Sequence, residues 1–374
     1  MLKGVYITLL VGRVVPVPVP QSVLDALTSV QITNAAGTAS GFQLSFTLSN
    51  KSPLQTLFIV AGADTPLLRV IIIATVNGSP QVLMDGVMTN QQVSPGSKPG
   101  YSTLTVTGED LTKVMSLQDF SGIPYPAMPP EARVALIIAK YAVYGIIPLV
   151  IPSLFTDIPI PTDRIPTQQG TDLEYIKQLA AEAGYVFYID PGPVPGTNTA
   201  YWGPEIKVGA AQPALNYDMD SQTNVESLNF TFNSANTILP IVFIQNQLTK
   251  IPIPIPVPNL NPLQPPLGAI PAPITNITML KETAKLSPMA AIGIGLAVAA
   301  RSADAVSGTG SLDITRYGRI LKFNQLVGVR GVGIAYDGLY FVKSVTTSIK
   351  RGEFKQSFEL TRNGLVSITP TVPA

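Results

Sequence analysis

Asp218 and Asp220, followed by Thr223 and Asn224, crowd four oxygen-bearing side chains into one short stretch, the donor type that hard cations take. The stretch lacks both a bidentate glutamate at the right distance and the glycine of an EF-hand loop, so it is read as a domain-boundary turn. Gly328, Gly331 and Gly333 resemble a dinucleotide-binding loop in spacing, but they lie between β segments and open no helix, which makes them a barrel turn. Glu174 and Glu182 are acids of the kind used in glycoside hydrolysis, where the spacing that matters is spatial and stays open here. Their simpler roles are a helix cap and a solvated helix face. Thr347 and Lys350 offer a hydroxyl and an amine with no identified base, so both read as ordinary strand polarity. The lone tryptophan, Trp202, is a packing anchor first and a sugar platform second. Lys350, Arg351, Lys355 and Arg362 gather around the last hairpin. Without interleaved aromatics they suit an acidic protein partner better than a nucleic acid.

The elements that must carry these residues are mostly strands. Phe354, Phe358 and Leu360 alternate with Lys355, Ser357, Glu359 and Thr361, the period of a strand with one buried face. Lys350-Arg351-Gly352 is the tight turn before it, and Leu339 to Val342, apolar on both faces, lies deep in a barrel or an interface. Phe42, Leu44, Phe46 and Leu48 alternate in the same way, Leu68 to Val76 is a β-branched run, and Asp85-Gly86 is a turn signal. Leu228, Phe230 and Phe232 resemble the Phe42 to Leu48 strand, which suggests a duplicated barrel. Between these regions the period changes. Glu131 to Tyr144 reads as a helix ending at Gly145. Thr171-Asp172-Leu173-Glu174 is a capping box that opens a helix with the stripe Leu173, Ile176, Leu179 and Ala183, ended by Gly184, and Tyr185 to Ile189 follows as a strand. Ile251 to Pro273 holds nine prolines; it favours extended polyproline II and cannot join a central sheet. Ser287-Pro288 caps a last helix.

Composition sets the class. The 374 residues contain no cysteine and no histidine, which removes disulfides, thiolate and imidazole chemistry and the usual zinc and iron sites. Only 13% of residues are charged and 46% are hydrophobic, against about 25% charged in an ordinary soluble chain. A formal net charge of +1 leaves no basic footprint for nucleic acid. Large surfaces are therefore expected to be buried against other subunits. A membrane protein is the rival reading. Its best candidate span, Val134 to Ile151, is broken by Lys140, Gly145 and Pro148, and Ala290 to Ala300 is too short. Arg13 interrupts the apolar N-terminus and no small-residue cleavage site follows, so no leader peptide and no membrane insertion are expected.

Three stretches, taken in order, resemble the hub proteins of contractile injection systems: the late control protein D family of contractile phages and the hub half of type VI secretion spike proteins. They are LMDGVMTNQQ with STLTVTGEDL, then the capped helix and strand GTDLEYIKQLAAEAGYVFYID, then YDGLYFVKSVTTSIKRGEFKQSFELTRNGL. In the last, Asp337, Gly338, Tyr340 and Val342 fit the strand typical of the second hub barrel. The resemblance implies a homotrimer with two tube-like barrels per chain, six similar barrels forming a ring. Such a ring joins a sixfold inner tube to a threefold spike. It also implies an inner-tube protein, baseplate wedge components and, because the sequence stops soon after Asn363-Gly364, a separate spike protein as partners.

The expected fold is β-rich α+β. It comprises an N-terminal arm at 1–21, a first barrel at 22–118, an α+β middle domain at 119–220, and a second barrel at 221–374 with an insertion at 248–306 (a proline-rich loop and a helix). The expected function is a structural hub with no catalysis, no cofactor and no metal. It would assemble in the cytoplasm as part of a phage-tail-like particle, released or membrane-anchored. Alternatives are a tail-associated polysaccharide or peptidoglycan hydrolase and a monomeric β-rich binding module. The expected interface residues are Lys350, Arg351, Lys355, Arg362, Tyr340, Pro252, Pro254 and Pro256, with the proline-rich segment either reaching a baseplate neighbour or the spike, or forming a rigid surface loop.

Overall fold

In the computed structural model, the residues described are 5–35, 37, 39–49, 52–60, 67–96, 102–153, 161–162, 165–235, 237–245, 251–259, 264–285 and 287–369. The N-terminal part runs β1 (Val5–Gly12), β2 (Val17–Pro18), α1 (Gln21–Ala26), β3 (Leu27–Ala35), β4 (Gly41–Leu48), β5 (Arg69–Val76), β6 (Ser79–Ser94) and β7 (Ser102–Asp110). The middle part has α2 (Pro130–Ala139), β8 (Ile146–Val150), α3 (Asp172–Ala183), β9 (Val186–Pro191) and β10 (Asn198–Gly203). The remainder has β11 (Gln212–Asn216), β12 (Val225–Phe232), β13 (Ile238–Gln245), β14 (Pro252–Pro256), β15 (Gly268–Pro271), β16 (Asn276–Leu280), α4 (Pro288–Ser302), β17 (Val306–Asp313), β18 (Leu326–Arg330), β19 (Gly338–Lys350), β20 (Glu353–Arg362) and β21 (Gly364–Ser367).

The β-rich character read from the alternating patterns holds. One sheet runs β12-β17-β20-β19-β3-β4-β7-β6-β5-β1-β2, with β11 and β18 branching from β19. Within it one order of pairing occurs twice. β3-β4-β7-β6-β5 is matched by β12-β17-β20-β19-β18, antiparallel at each step. The irregularities repeat too. The β3–β4 ladder shifts between Leu27 and Ser29 as β12–β17 does between Val225 and Ser227. β6–β7 shifts between Met88 and Asn90 as β19–β20 does between Val342 and Ser344. Bulges re-aim a strand at a chosen point, so matched bulges mark matched positions. The partner of β12 is thus β3, and the Phe42 to Leu48 strand corresponds to β17; the similarity of β12 to β4 was one of alternation alone.

Two further expectations change. Val5 to Gly12, expected within an arm at 1–21, is β1, which pairs with β5 and puts Leu9 and Val11 in the main core. Asp85-Gly86 is no turn but lies inside β6, opposite Ile71 and Val70, with Asp85 buried.

The middle part builds its own core from Val134, Ile137, Ile176, Leu179, Ile189 and Trp202, together with Val87, Leu111 and Met115 of the first part. Its small sheet is β8-β10-β9. The capping box is made as the spacing requires: Thr171 Oγ1 accepts from the Glu174 amide at 3.3 Å, Glu174 accepts from the Thr171 amide at 2.8 Å, and Gly184 closes α3 in the left-handed region. The fully buried positions of α3 are Asp172, Tyr175, Ile176, Leu179 and Ala180, and Leu173 and Ala183 of the expected stripe pack half-buried against the same core. α2 stops at Ala139; a short 3₁₀ turn, Ala142–Tyr144, then leads to left-handed Gly145.

Between β12 and β17 the chain leaves the large sheet from Asn233 to Ala305, earlier than the expected start at 248. Two pieces of its proline-rich part, Pro252–Pro256 and Gly268–Pro271, are strands instead of polyproline loop. β14 forms one edge of a three-stranded sheet, β14-β13-β16, and β15 pairs with β21. α4, opened by Ser287 and Pro288 as expected, covers one face of that sheet through Ala291, Val242 and Val257.

Candidate interaction surfaces

The turn Arg351-Gly352 separates β19 from β20, and Gly352 takes the positive φ that the turn demands. Lys350 and Arg351 are exposed and line a groove of about 380 Å³ whose apolar side is Val5, Ile7, Leu24 and Leu27. The Arg351 guanidinium donates to the carbonyl of Asp25. Lys355 bridges Glu226 at 2.9 Å and Glu353 at 3.2 Å, and these hydrogen bonds, Glu226 first, raise its pKa. The cations foreseen here are therefore partly spent on neighbours.

Arg362 and Tyr340 do not belong to this rim, which corrects the expected cluster. β20 carries Arg362 nine residues along from Glu353, about 30 Å at strand rise. Arg362 is fully buried and donates to the carbonyls of Gly364 (2.7 Å), Asp337 (2.9 Å) and Ala335 (2.6 Å), with its guanidinium 4.4 Å from the Tyr340 ring centre. Burial lowers the Arg362 pKa and raises that of Tyr340, whose hydroxyl donates to the Tyr336 carbonyl. A buried guanidinium with its donors satisfied by backbone ties the start of β19 to the end of β20. It is a structural clasp.

Pro252, Pro254 and Pro256 lie exposed on β14. Their register places them opposite Gln245, Phe243 and Ile241 of β13, and Ile241 is in turn opposite Met279 of β16. Successive side chains in a strand alternate faces, so the prolines share one sheet face with Phe243, Ile241 and Met279. The other face holds Val242 under α4.

Sequence reasoning missed the polar joint that orients the middle part. Arg69 and Asp85 are both buried, and Arg69 Nη2 also donates to the carbonyls of Tyr144 (2.8 Å) and Gly196 (3.2 Å). Asn198 donates to Asp85 at 2.8 Å. Each charge could have been suspected from its place in an apolar run; that the two pair could not. Asp172, also buried, accepts from Lys140, Tyr141 and Gln168 at 2.7–2.9 Å.

The chemical candidates resolve into structure. Asp218 and Asp220 sit at positive φ in a turn whose Thr223 and Asn224 side chains accept from the amides of Met219 and Asn216. Those two oxygens serve the turn. Gly331 and Gly333 also take positive φ, and a Cβ on Gly331 would lie 1.8 Å from the Tyr217 carbonyl oxygen, so this is a close-packed turn. Glu174 and Glu182 stand eight residues apart on α3, about 12 Å along the axis. Neither of these acids faces the other across a cleft; Glu182 accepts from Gln178. Thr347 is buried and bonded to Gln356 at 3.0 Å. Trp202 is fully buried, edge-on to Tyr185 at 4.8 Å, and is the anchor expected of it. No helix among the described residues is long and apolar enough to cross a membrane.

No protein-family model matches the sequence, and no curated protein matches it. Solved structures do. A tail protein from Neisseria meningitidis MC58 aligns with a TM-score of 0.63 at 14% identity, covering 97% of this chain and 98% of that one. The 43 kDa tail protein of prophage MuSo2 from Shewanella oneidensis aligns with a TM-score of 0.64 at 14% identity, covering 96% and 98%. A chain of the Francisella PdpA–VgrG complex aligns with a TM-score of 0.60 at 8% identity, covering 99% of this chain and 54% of that longer one. The chain has the fold of these phage tail and VgrG-complex proteins.

Proposed function

We propose that the protein is a structural hub of a contractile injection system or phage-like tail. As a homotrimer it would adapt a sixfold inner tube to a threefold spike, with a separate spike protein and wedge components around it. The observation that carries this reading is the repeated pairing order. Each repeat is taken as one tube-like barrel unit, and the junction between the two, β3 against β19, registers Ala35 with Ser344 and Ser29 with Lys350. Among the described residues the corresponding pair, β12 against the second half of β6, is not made: β12 pairs with β17, and β6 pairs with β5 up to Val87. An open strand edge invites another chain. If β12 of one copy meets β6 of the next as β3 meets β19, the matched bulges set the register: Phe232 opposite Gln91, Thr231 opposite Gln92, Phe230 opposite Val93. Head-to-tail contacts of this kind close rings. Val93, 45% exposed in the single chain, becomes covered.

Surface area supports the same reading. The chain exposes 18073 Å² for 39.7 kDa, where a compact monomer of that mass is expected to expose about 14,300 Å². The likeness to a chain of the PdpA–VgrG complex is a further reason to expect partners. The work is mechanical: holding the spike, templating the first tube ring and transmitting force, with no catalysis of its own.

Light scattering over a dilution series, alone and with a candidate spike, tests this. A mass near three chains is expected. In this cysteine-free protein, Gln92→Cys with Thr231→Cys should give interchain disulfides, because directly opposed antiparallel residues lie about 4.5–5.5 Å apart. A stable monomer with no interchain disulfide would sink the reading.

A further inference from the structure

From Ile238 to Leu280 the sequence contains one charged residue, Lys250. This stretch supplies β14-β13-β16, whose face away from α4 carries Phe243, Ile241, Pro254, Ile277 and Met279. Ile277 is 63% and Met279 59% exposed. An exposed apolar face of this kind needs an occupant. Its β14 edge offers a partner no donors. The Val257 amide donates to the Pro240 carbonyl at 3.0 Å, so at strand period the amides of Ile255 and Ile253 also turn inward. The ring nitrogens of Pro252, Pro254 and Pro256 are left outward, and proline nitrogen has no proton to give. A partner cannot draw donors from β14 as a further strand there, and the exposed face is the larger surface left for it to cover.

Chain connectivity decides where that face lies, given the hub arrangement proposed above, on which this inference rests. The insertion leaves directly from Phe232, the end of β12 that would meet Gln91 of the next copy. On that next copy, the open edge of β6 starts where β5 ends, at Arg69. Arg69 is the residue that grips the Tyr144 and Gly196 carbonyls of the middle part. Next to Tyr144 in the sequence the middle part exposes Val143 (63%), Ile147 (59%) and Leu149 (47%), with Asp190 on the same sheet face as Ile147, across Thr199.

We infer that the uncharged sheet face of the insertion docks on this patch of the neighbouring copy's middle part, locking the seam between subunits. The insertion's face carries no charge, so it loses no ion's hydration on contact.

The test uses the full chain. Met279→Cys with Ile147→Cys should be joined between chains by a short bismaleimide, and Ile277→Glu with Met279→Glu should raise the concentration at which the assembly dissociates by about tenfold or more. Both variant positions are exposed, so far-UV circular dichroism should be unchanged. If the Gln92/Thr231 disulfide forms and the mass stays near three chains, yet the face neither crosslinks nor responds to the glutamates, this proposal is overturned and the hub reading stands. If the chain stays monomeric and neither pair joins, both fall. Loss of binding to phosphatidylcholine vesicles in the glutamate variant, with self-association unchanged, would assign the face to lipid and overturn the proposal.

Discussion

Both carboxylate oxygens of Asp85 are held by the guanidinium of Arg69, Oδ1 by Nε at 2.8 Å and Oδ2 by Nη2 at 2.7 Å, inside two adjacent strands. The fork is bidentate and buried, and its remaining donors reach Val14, Tyr144 and Gly196. One ion pair therefore joins β5, β6 and the middle part, at the corner where the open half of β6 begins.

Asp85→Ala should destabilise the protein by about 3–5 kcal/mol, because it strands a buried guanidinium. The double variant Arg69→Met, Asp85→Leu should cost clearly less than the sum of the single changes. Urea denaturation measures both; additive costs would mean that the pair is not coupled.

Arg362→Lys should cost about 2 kcal/mol or more, since an ammonium cannot reach three carbonyls in a plane or stack on Tyr340. Lys350→Ala should stay within about 0.5 kcal/mol, as expected of an exposed side chain. Equal effects at the two positions in the same denaturation assay would contradict the separation of clasp and rim.

Gly145 sits at φ +71° with the Gly196 carbonyl oxygen 2.0 Å from where a Cβ would stand. Gly145→Ala carries about 1–3 kcal/mol for the left-handed backbone alone, and it must also push Gly196 away from Arg69. Hydrogen exchange should then report faster opening of β8 and β10 than of β4 and β7. Uniform protection would argue against a local joint.

The pKa of Glu174 is lowered by the hydrogen bonds it takes from the Thr171 amide and hydroxyl. A lowered native pKa means stability that is present above the ordinary value of 4.5 and is lost as pH falls through the lowered one. Thr171→Ala should cost about 1 kcal/mol near neutral pH, and the gap from wild type should narrow in acid, below 4.5. A gap independent of pH would show that the carboxylate adds nothing to the cap.

Local chemistry made a good part of the molecule legible. The capping box at Thr171, the Ser287-Pro288 helix start, the Lys350-Arg351-Gly352 turn and the alternation in β4, β12 and β20 all depend on residues within a few positions of one another. Sequence shows such relations directly. The resemblance drawn from three ordered segments likewise anticipated the fold shared with the tail proteins.

What sequence by itself determined, then, was the kind of each element, the β-rich class and the shortage of charge. Tertiary structure alone decided which strand is whose counterpart, that Asp85 is a buried ion-pair partner instead of a turn, and that Arg362 is enclosed while Lys350 is free. It also turned the proline run into a strand with an apolar face and a donor-free edge. The physical reason is range. Pairing register and burial are set by contacts between residues far apart in the chain, such as Ala35 with Ser344 and Arg69 with Gly196, and no local pattern encodes the identity of so distant a partner.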